Sequence, residues 1–347
     1  MFNKKYFLLI IFLGFSYIFP PHTFAQQLGL DVTVSPAIIE LTAVPGSVVK
    51  QKFRIRNNLS QALTITIHTD KMTGTTDGHV IPIPAQKGDF STSWIRYDKP
   101  TFKALPREWT EVEFSLSIPK EAAFGYYYAV RLSQSLDPTD KNTNETVLGE
   151  VAIPILLEVK REGAVKQAKL VEFKANKFIN EYLPVEFTTV IANTGNVHIK
   201  PQGNIFVRGP GEKDLGILTV NGDVGNILPG SNRSFLNEWT DGFLVEVPVK
   251  DDDSMKHDKN GKPATHLTIK WDKLTSFRIG KYSAYMLLVY DNGTRDVTIE
   301  ATTTFWVFPY KIILFTLFII ISSIFFVRWI LKLYIKKQVE KYQNHEI

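Results

Sequence analysis

Cysteine is absent from all 347 residues. Its absence excludes disulfide scaffolds, thiolate zinc sites, iron–sulfur clusters and thiol nucleophiles at once. Other signatures of chemistry are missing too. The seven histidines are scattered, and none stands in the H-E-x-x-H spacing with which a helix aims two imidazoles at one zinc. The sequence has no G-x-S-x-G elbow, no phosphate-cradling loop and no dinucleotide fingerprint. No cofactor is expected, and the chain reads as a binding protein and not as an enzyme.

The net charge of +5 would invite a nucleic-acid reading if it were spread over the chain. It sits at the two ends. Lys4 and Lys5 put +2 on residues 1–25, and residues 311–347 carry +4, which leaves −1 for residues 26–310. The bulk has no electrostatic basis for binding nucleic acid.

Both ends are apolar. Lys4 and Lys5 precede the run Tyr6 to Phe19, then Pro20-Pro21 and Thr23-Phe24-Ala25, which predicts a secretory signal peptide over residues 1–25. Near the other end, Ile312 to Val327 holds no charge. A helix from Phe305 to Val327, at about 1.5 Å per residue, reaches roughly 34 Å, enough for a hydrocarbon core of about 30 Å. Trp306 and Tyr310 stand at its start and Trp329 and Tyr334 at its end, where amphipathic rings favour the membrane–water interface. Arg328, Lys332, Lys336, Lys337 and Lys341 follow, and such an excess of cations stays in the cytoplasm. The expectation is a single-pass protein of the cytoplasmic membrane, with a transmembrane helix over 309–331, a basic tail over 332–347 inside, and the bulk outside.

Between the ends, helical periodicity is missing and alternation of period two dominates. Val49, Gln51, Phe53 and Ile55 alternate with Lys50, Lys52, Arg54 and Arg56; Val112, Phe114, Leu116 and Ile118 alternate with Glu111, Glu113, Ser115 and Ser117. Each run is a strand with one wet and one dry face, as in antiparallel sheets. Turn signals such as Pro45-Gly46-Ser47, Asn193-Thr194-Gly195-Asn196 and Asp291-Asn292-Gly293 separate the runs. Many short strands with such turns indicate a sandwich or barrel.

An internal repeat sets the domain count. Ile55-x-Asn57, Leu105-Pro106 and Gly125-x-Tyr127-x-Ala129-x-x-Leu132 recur as Ile191-x-Asn193, Leu228-Pro229 and Gly280-x-Tyr282-x-Ala284-x-x-Leu287. The prediction is an all-β chain of two immunoglobulin-like sandwiches, over 26–161 and 165–308, the second carrying an exposed polar loop over 250–264. Gly125, Tyr127 and Ala129, with Gly280, Tyr282 and Ala284, are read as one structural motif. Its tyrosine is a corner residue whose hydroxyl bonds back to the backbone; the alternative is that Tyr127 and Tyr282 touch a ligand.

The surface offers two candidate binding features. Lys50, Lys52, Arg54 and Arg56 form a positive stripe suited to anionic wall polymers, or a solvated face. Trp94 and Tyr97, with Trp109, Tyr126, Trp239 and Trp271, could stack on sugar rings, or pack in the fold. Asp251, Asp252, Asp253 and Asp258 offer hard oxygen ligands, but Ile269 stands where the bidentate acid of a calcium loop starting at Asp258 would fall. That reading favours a solvated loop and no metal.

The layout resembles the bacterial cell-surface proteins that partner WxL-domain proteins. The likeness rests on Val34-Ser35-Pro36, Pro45-Gly46, Phe53-Arg54-Ile55-Arg56-Asn57-Asn58 and Pro119 leading to Gly125-x-Tyr127, and is specific over about residues 30–135. The resemblance implies a first domain that binds peptidoglycan and a second that docks an exported WxL protein. The expected partners are therefore a cell-wall polymer, another exported protein, or both. The alternative is a membrane-tethered chaperone or a subunit of a surface-assembly or export machine, since free sheet edges suit strand addition by a partner peptide.

Overall fold

The computed structural model describes residues 30–83, 88–134, 150–251, 254–257, 261 and 263–343. The predicted signal peptide lies outside them, as do Asp252, Asp253, Asp258 and Asn260 of the calcium reading.

Strands form where the alternation places them. In β3 (Val48–Asn57), Phe53, Ile55 and Asn57 are buried while Lys52, Arg54 and Arg56 face water. Val112, Phe114 and Leu116 are buried in the same way along β8 (Trp109–Ser117). These two pair antiparallel, with β1 (Val32–Ser35) outside β3 and β6 (Ile95–Tyr97) outside β8. The facing sheet runs β2 (Ile39–Ala43), β10 (Glu150–Val159), β9 (Phe124–Gln134), β4 (Leu63–Gly74) and β5 (Val80–Ile83), with β7 (Thr101–Ala104) also on β4. The chain changes sheets between β1 and β2, and β2 runs parallel to β10. Phe53, Phe114, Tyr128 and Leu132 fill the space between the sheets, each side chain contributing roughly 1.5–3 kcal/mol by leaving water.

The second domain repeats this plan. One sheet is β11 (Ala168–Ala175), β13 (Val185–Asn193) and β16 (Asn232–Trp239). The other is β12 (Ile179–Asn180), β22 (Asp296–Val307), β21 (Gly280–Asp291), β14 (Gln202–Arg208) and β15 (Asp214–Val220). Again the first strand is split between the sheets, with β12 parallel to β22. Trp239, Phe187, Phe305 and Tyr282 build the core, with Tyr282 stacked on Phe305 at 5.7 Å. Both domains are immunoglobulin-like sandwiches.

The first two parts of the sequence repeat mark one hydrogen-bond device. Asn57 is buried and donates to the carbonyls of Gln61 (2.7 Å) and Ala104 (3.1 Å) while accepting from Leu59 N. Asn193 is buried and donates to Val197 O (2.9 Å) and Ile227 O (2.8 Å) while accepting from Gly195 N. In each domain the asparagine ties the end of the second strand to the residue just before Leu-Pro. An amide supplies both donors and the acceptor that this turn of buried backbone requires.

The third part of the repeat is not equivalent in space. In β9 the core takes Tyr128, Val130 and Leu132, leaving Tyr127 and Ala129 on the outer face. In β21 the core takes Tyr282, Ala284, Met286 and Leu288. The shared spelling is thus read at opposite parity, because a shift of one residue turns every side chain of a strand to the other face.

Within the stretch over 250–264, expected as a loop, the described residues include paired strands. β17 (Leu244–Pro248) pairs with β20 (Thr265–Ile269), and β18 (Lys250–Asp251) with β19 (Ser254–Met255) beyond them. Backbone bonds such as Val249 N to Ala264 O (2.8 Å) continue the ladder.

After β22, only Phe308 and Pro309 precede the helix α1 (Tyr310–Gln343). Proline suits a helix start, where its missing N–H has no partner to lose. The helix extends through most of the predicted tail. The most apolar stretch within Tyr310–Lys336 has a mean hydropathy of 2.4, and none of it is buried. The helix is long and apolar enough to cross a membrane once, and its exposed Leu, Ile and Phe side chains require a cover that the other described residues do not supply.

Candidate functional site

The positive stripe is answered in part by its own sheet. Antiparallel pairing sets Lys52 against Glu113 and Arg54 against Glu111. Lys52 reaches Glu111 at 2.7 Å and Glu113 at 3.9 Å, and Lys50 lies 4.0 Å from Glu113. Arg54 lies over the Trp109 ring at 5.3 Å, and Arg56 Nε donates to Arg107 O at 3.3 Å. The stripe is a mixed-charge face on which two carboxylates answer two of the four cations. Those acids were visible in the sequence; only the register put them opposite the lysines.

The sugar platform is likewise dispersed. Tyr97 packs edge-on against Phe53 at 6.5 Å and bonds Thr69 Oγ1 through its hydroxyl at 2.7 Å. Burial pushes its phenol up to about 12. Trp94 lies 4.7 Å from Tyr126 and packs on the first core. Trp239 is a core residue. Trp109 and Trp271 remain exposed, one in each domain.

What the sequence did not announce is the junction of the two domains. Met72, Tyr127, Ala129 and Leu156, on the outer face of the β10-β9-β4 layer, bury against Leu228 of the second domain. The Tyr127 hydroxyl accepts from His198 N at 2.8 Å and lies 3.4 Å from His198 Nδ1. Tyr127 is therefore no corner residue of its own domain, whereas Tyr282 lies in its own core. Burial raises the Tyr127 phenol above its ordinary value and lowers the His198 imidazolium, against the pull of Glu40 and Glu158.

On one side of the junction lies a charged cleft of 620 Å³. Glu40 of β2 binds Lys200 and, at 2.9 Å, Asn226 Nδ2; Lys166 meets Glu158 at 2.8 Å. Burial alone would raise the Glu40 carboxyl, but Lys200 and Asn226 outweigh it and hold the carboxyl below its ordinary range. Among the described residues no three histidine, aspartate or glutamate side chains gather to hold a metal ion.

On the other side lies a groove of 210 Å³, whose apolar lining is Ile38, Met72, Val80, Pro154, Leu156 and Leu228. It abuts an open strand edge. β10 pairs with β9 along its whole length but with β2 only over Ile155–Val159. Among the described residues, no strand pairs with the outer edge of Glu150–Pro154. Unpaired backbone beside an apolar groove is the arrangement that accepts an added strand, with ladder bonds for affinity and the groove for side chains.

No family model matches the chain, and neither does any curated protein. Solved structures of similar outline include the class 5 fimbriae chaperone CfaA, at 12% identity over 79% of this chain and 99% of that one, with a TM-score of 0.37. The Pseudomonas aeruginosa CupB2 chaperone aligns at 9% identity over 77% and 98%, with a TM-score of 0.33. A protein of unknown function from Porphyromonas gingivalis aligns at 13% over 78% and 98%, with a TM-score of 0.27. These likenesses concern the sandwich fold and extend to nothing else.

Proposed function

We propose that this protein is a membrane-anchored holder of another exported polypeptide, a tethered chaperone or subunit of a surface-assembly machine. The observation that carries the reading is the open edge of β10, Glu150–Pro154, lying beside the apolar groove at the domain junction. An extended segment of the client adds to this edge and seats alternate apolar side chains against Ile38, Met72 and Val80. The cations in the C-terminal part of α1 keep that end in the cytoplasm and both sandwiches outside. The resemblance over residues 30–135 makes a WxL-domain protein one candidate client. Contact with the wall loses support, since Lys50 and Lys52 face Glu111 and Glu113, Arg54 lies over Trp109, and Trp94 and Tyr97 are packed.

A photo-reactive residue placed at Ala152 in living cells tests the reading. It should cross-link to an exported protein, and the same probe at Lys174 should not. Ile38→Asp should lower the Ala152 yield about tenfold, roughly the effect of one apolar side chain lost from a pocket, without moving the melting temperature. Equal cross-linking from both positions, or retention of the protein on purified wall sacculi with no cross-link at Ala152, overturns it.

A further inference from the structure

The end of the second domain from which the helix departs carries its own apolar surface. Gly280 pairs with Val307, the last strand residue before the helix, so the segment preceding Gly280 lies beyond the sheet on the helix side. That segment is a short 3-10 turn, Trp271–Ser276, followed by Phe277. Trp271 is 72% exposed, and Leu274 and Phe277 are exposed beside it. Such a tryptophan is costly to leave in water without a function.

The patch is continuous with the root of α1. The Trp271 ring lies 5.7 Å from Phe243, and Phe243 lies 5.9 Å from Phe277. Phe243 and Phe277 line one small pocket with Val307 and Pro309. Lys311, in the first turn of the helix, reaches back to Glu181 at 2.6 Å, which ties the helix to the domain. Just before β12, the strand beside β22, Phe178 is 62% exposed, and its carbonyl accepts from Trp306 N at 2.7 Å. Aromatic side chains thus surround the point where the chain enters the bilayer.

We infer that this collar, Trp271, Leu274, Phe277 and Phe178, inserts into the headgroup layer of the membrane that α1 spans, and so fixes the tilt of the second domain. The inference rests on the reading of α1 as a membrane span. The headgroup layer is several ångströms thick on each side, the depth of one aromatic ring, and it is where such rings partition. Asp241 pairs with both Lys273 (3.0 Å) and Arg278 (2.9 Å), which answers part of their charge within the protein, and the surface the collar presents is apolar. Insertion therefore needs no anionic lipid.

The absence of native cysteine makes the test direct. Leu274→Cys, Ile320→Cys and Lys52→Cys are each labelled with an environment-sensitive fluorophore in the full chain. The protein is then reconstituted in pure phosphatidylcholine vesicles, and in vesicles of equal parts phosphatidylcholine and phosphatidylglycerol. Lipid spin-labelled near the headgroup should quench position 274 several-fold more than position 52 in both, and lipid spin-labelled deep in the chain should quench position 320, the middle of the span. Adding Trp271→Ser and Phe277→Ser together should abolish quenching at 274 while the melting temperature holds. If 274 behaves like 52 while 320 is quenched, the collar inference is overturned and the span stands. If 274 is shielded from aqueous iodide but not quenched by lipid, a protein covers the patch and the inference fails. If 320 is not quenched, the span itself fails, and the collar with it.

Discussion

Asn57 and Asn193 show how little sequence is needed to place a turn. Each amide closes three backbone bonds at the end of its strand, in a site from which water is excluded. Removing the amide leaves two carbonyls and one N–H without partners, and each orphan costs about 1–3 kcal/mol. Asn193→Ala should therefore destabilise the second domain by about 3 kcal/mol or more, read as a fall in the urea midpoint at constant slope. Exposed Thr194→Ala, next to it, should stay within about 0.5 kcal/mol. The same asparagines were legible in the sequence as a repeat, but the repeat did not reveal what they bond. Tyr127 and Tyr282 carry the opposite lesson. Their flanking letters match, yet one faces the partner domain and the other its own core, since period two makes neighbours of opposite faces look alike on paper.

Among elements, the pairing of β3 with β8 converts a row of lysines and arginines into a mixed-charge surface. Exposed pairs of this kind add little stability, but they weaken the field that an anionic polymer would feel. The junction elements behave differently because they are partly buried. His198 has its imidazolium disfavoured by burial, so its proton affinity is lower in the closed junction than in the unfolded chain. Its contribution is fully present above its ordinary value of 6.5 and is lost as pH falls through the depressed folded value. Glu40, held down by Lys200 and Asn226, adds a loss of the same sign below its ordinary 4.5. Acid should therefore loosen the junction in two stages. The protection factor of the His198 amide, corrected for intrinsic exchange, should fall first as pH drops below 6.5, before the sandwich cores respond. A junction equally protected at pH 7 and pH 4 would contradict this.

At the scale of the whole molecule, two sandwiches stand in series on one helix. The second domain contacts both its neighbours, through Tyr127 and Leu228 on one side and through the Lys311–Glu181 pair on the other. Force on the first domain is therefore transmitted to α1 through packed side chains and not through a free linker. Protease added to cells stripped of wall should remove both sandwiches and leave a fragment that contains α1, retained in the membrane through alkaline extraction. Release of the whole chain by alkali, or full protection of the sandwiches, would contradict the topology.

From the sequence alone came everything that depends on neighbours along the chain. Strand alternation, turn residues, the apolar run that becomes α1 and the absence of thiol chemistry are local in origin, so composition and period suffice to read them. The tertiary structure decided which faces meet. It placed Glu111 and Glu113 across from the lysines, and Tyr97 inside the first core. It brought Glu40 to Lys200 across two domains and left one half of β10 open beside a groove. Those outcomes depend on strand register and on packing between residues far apart in the chain, and neither has a local signature.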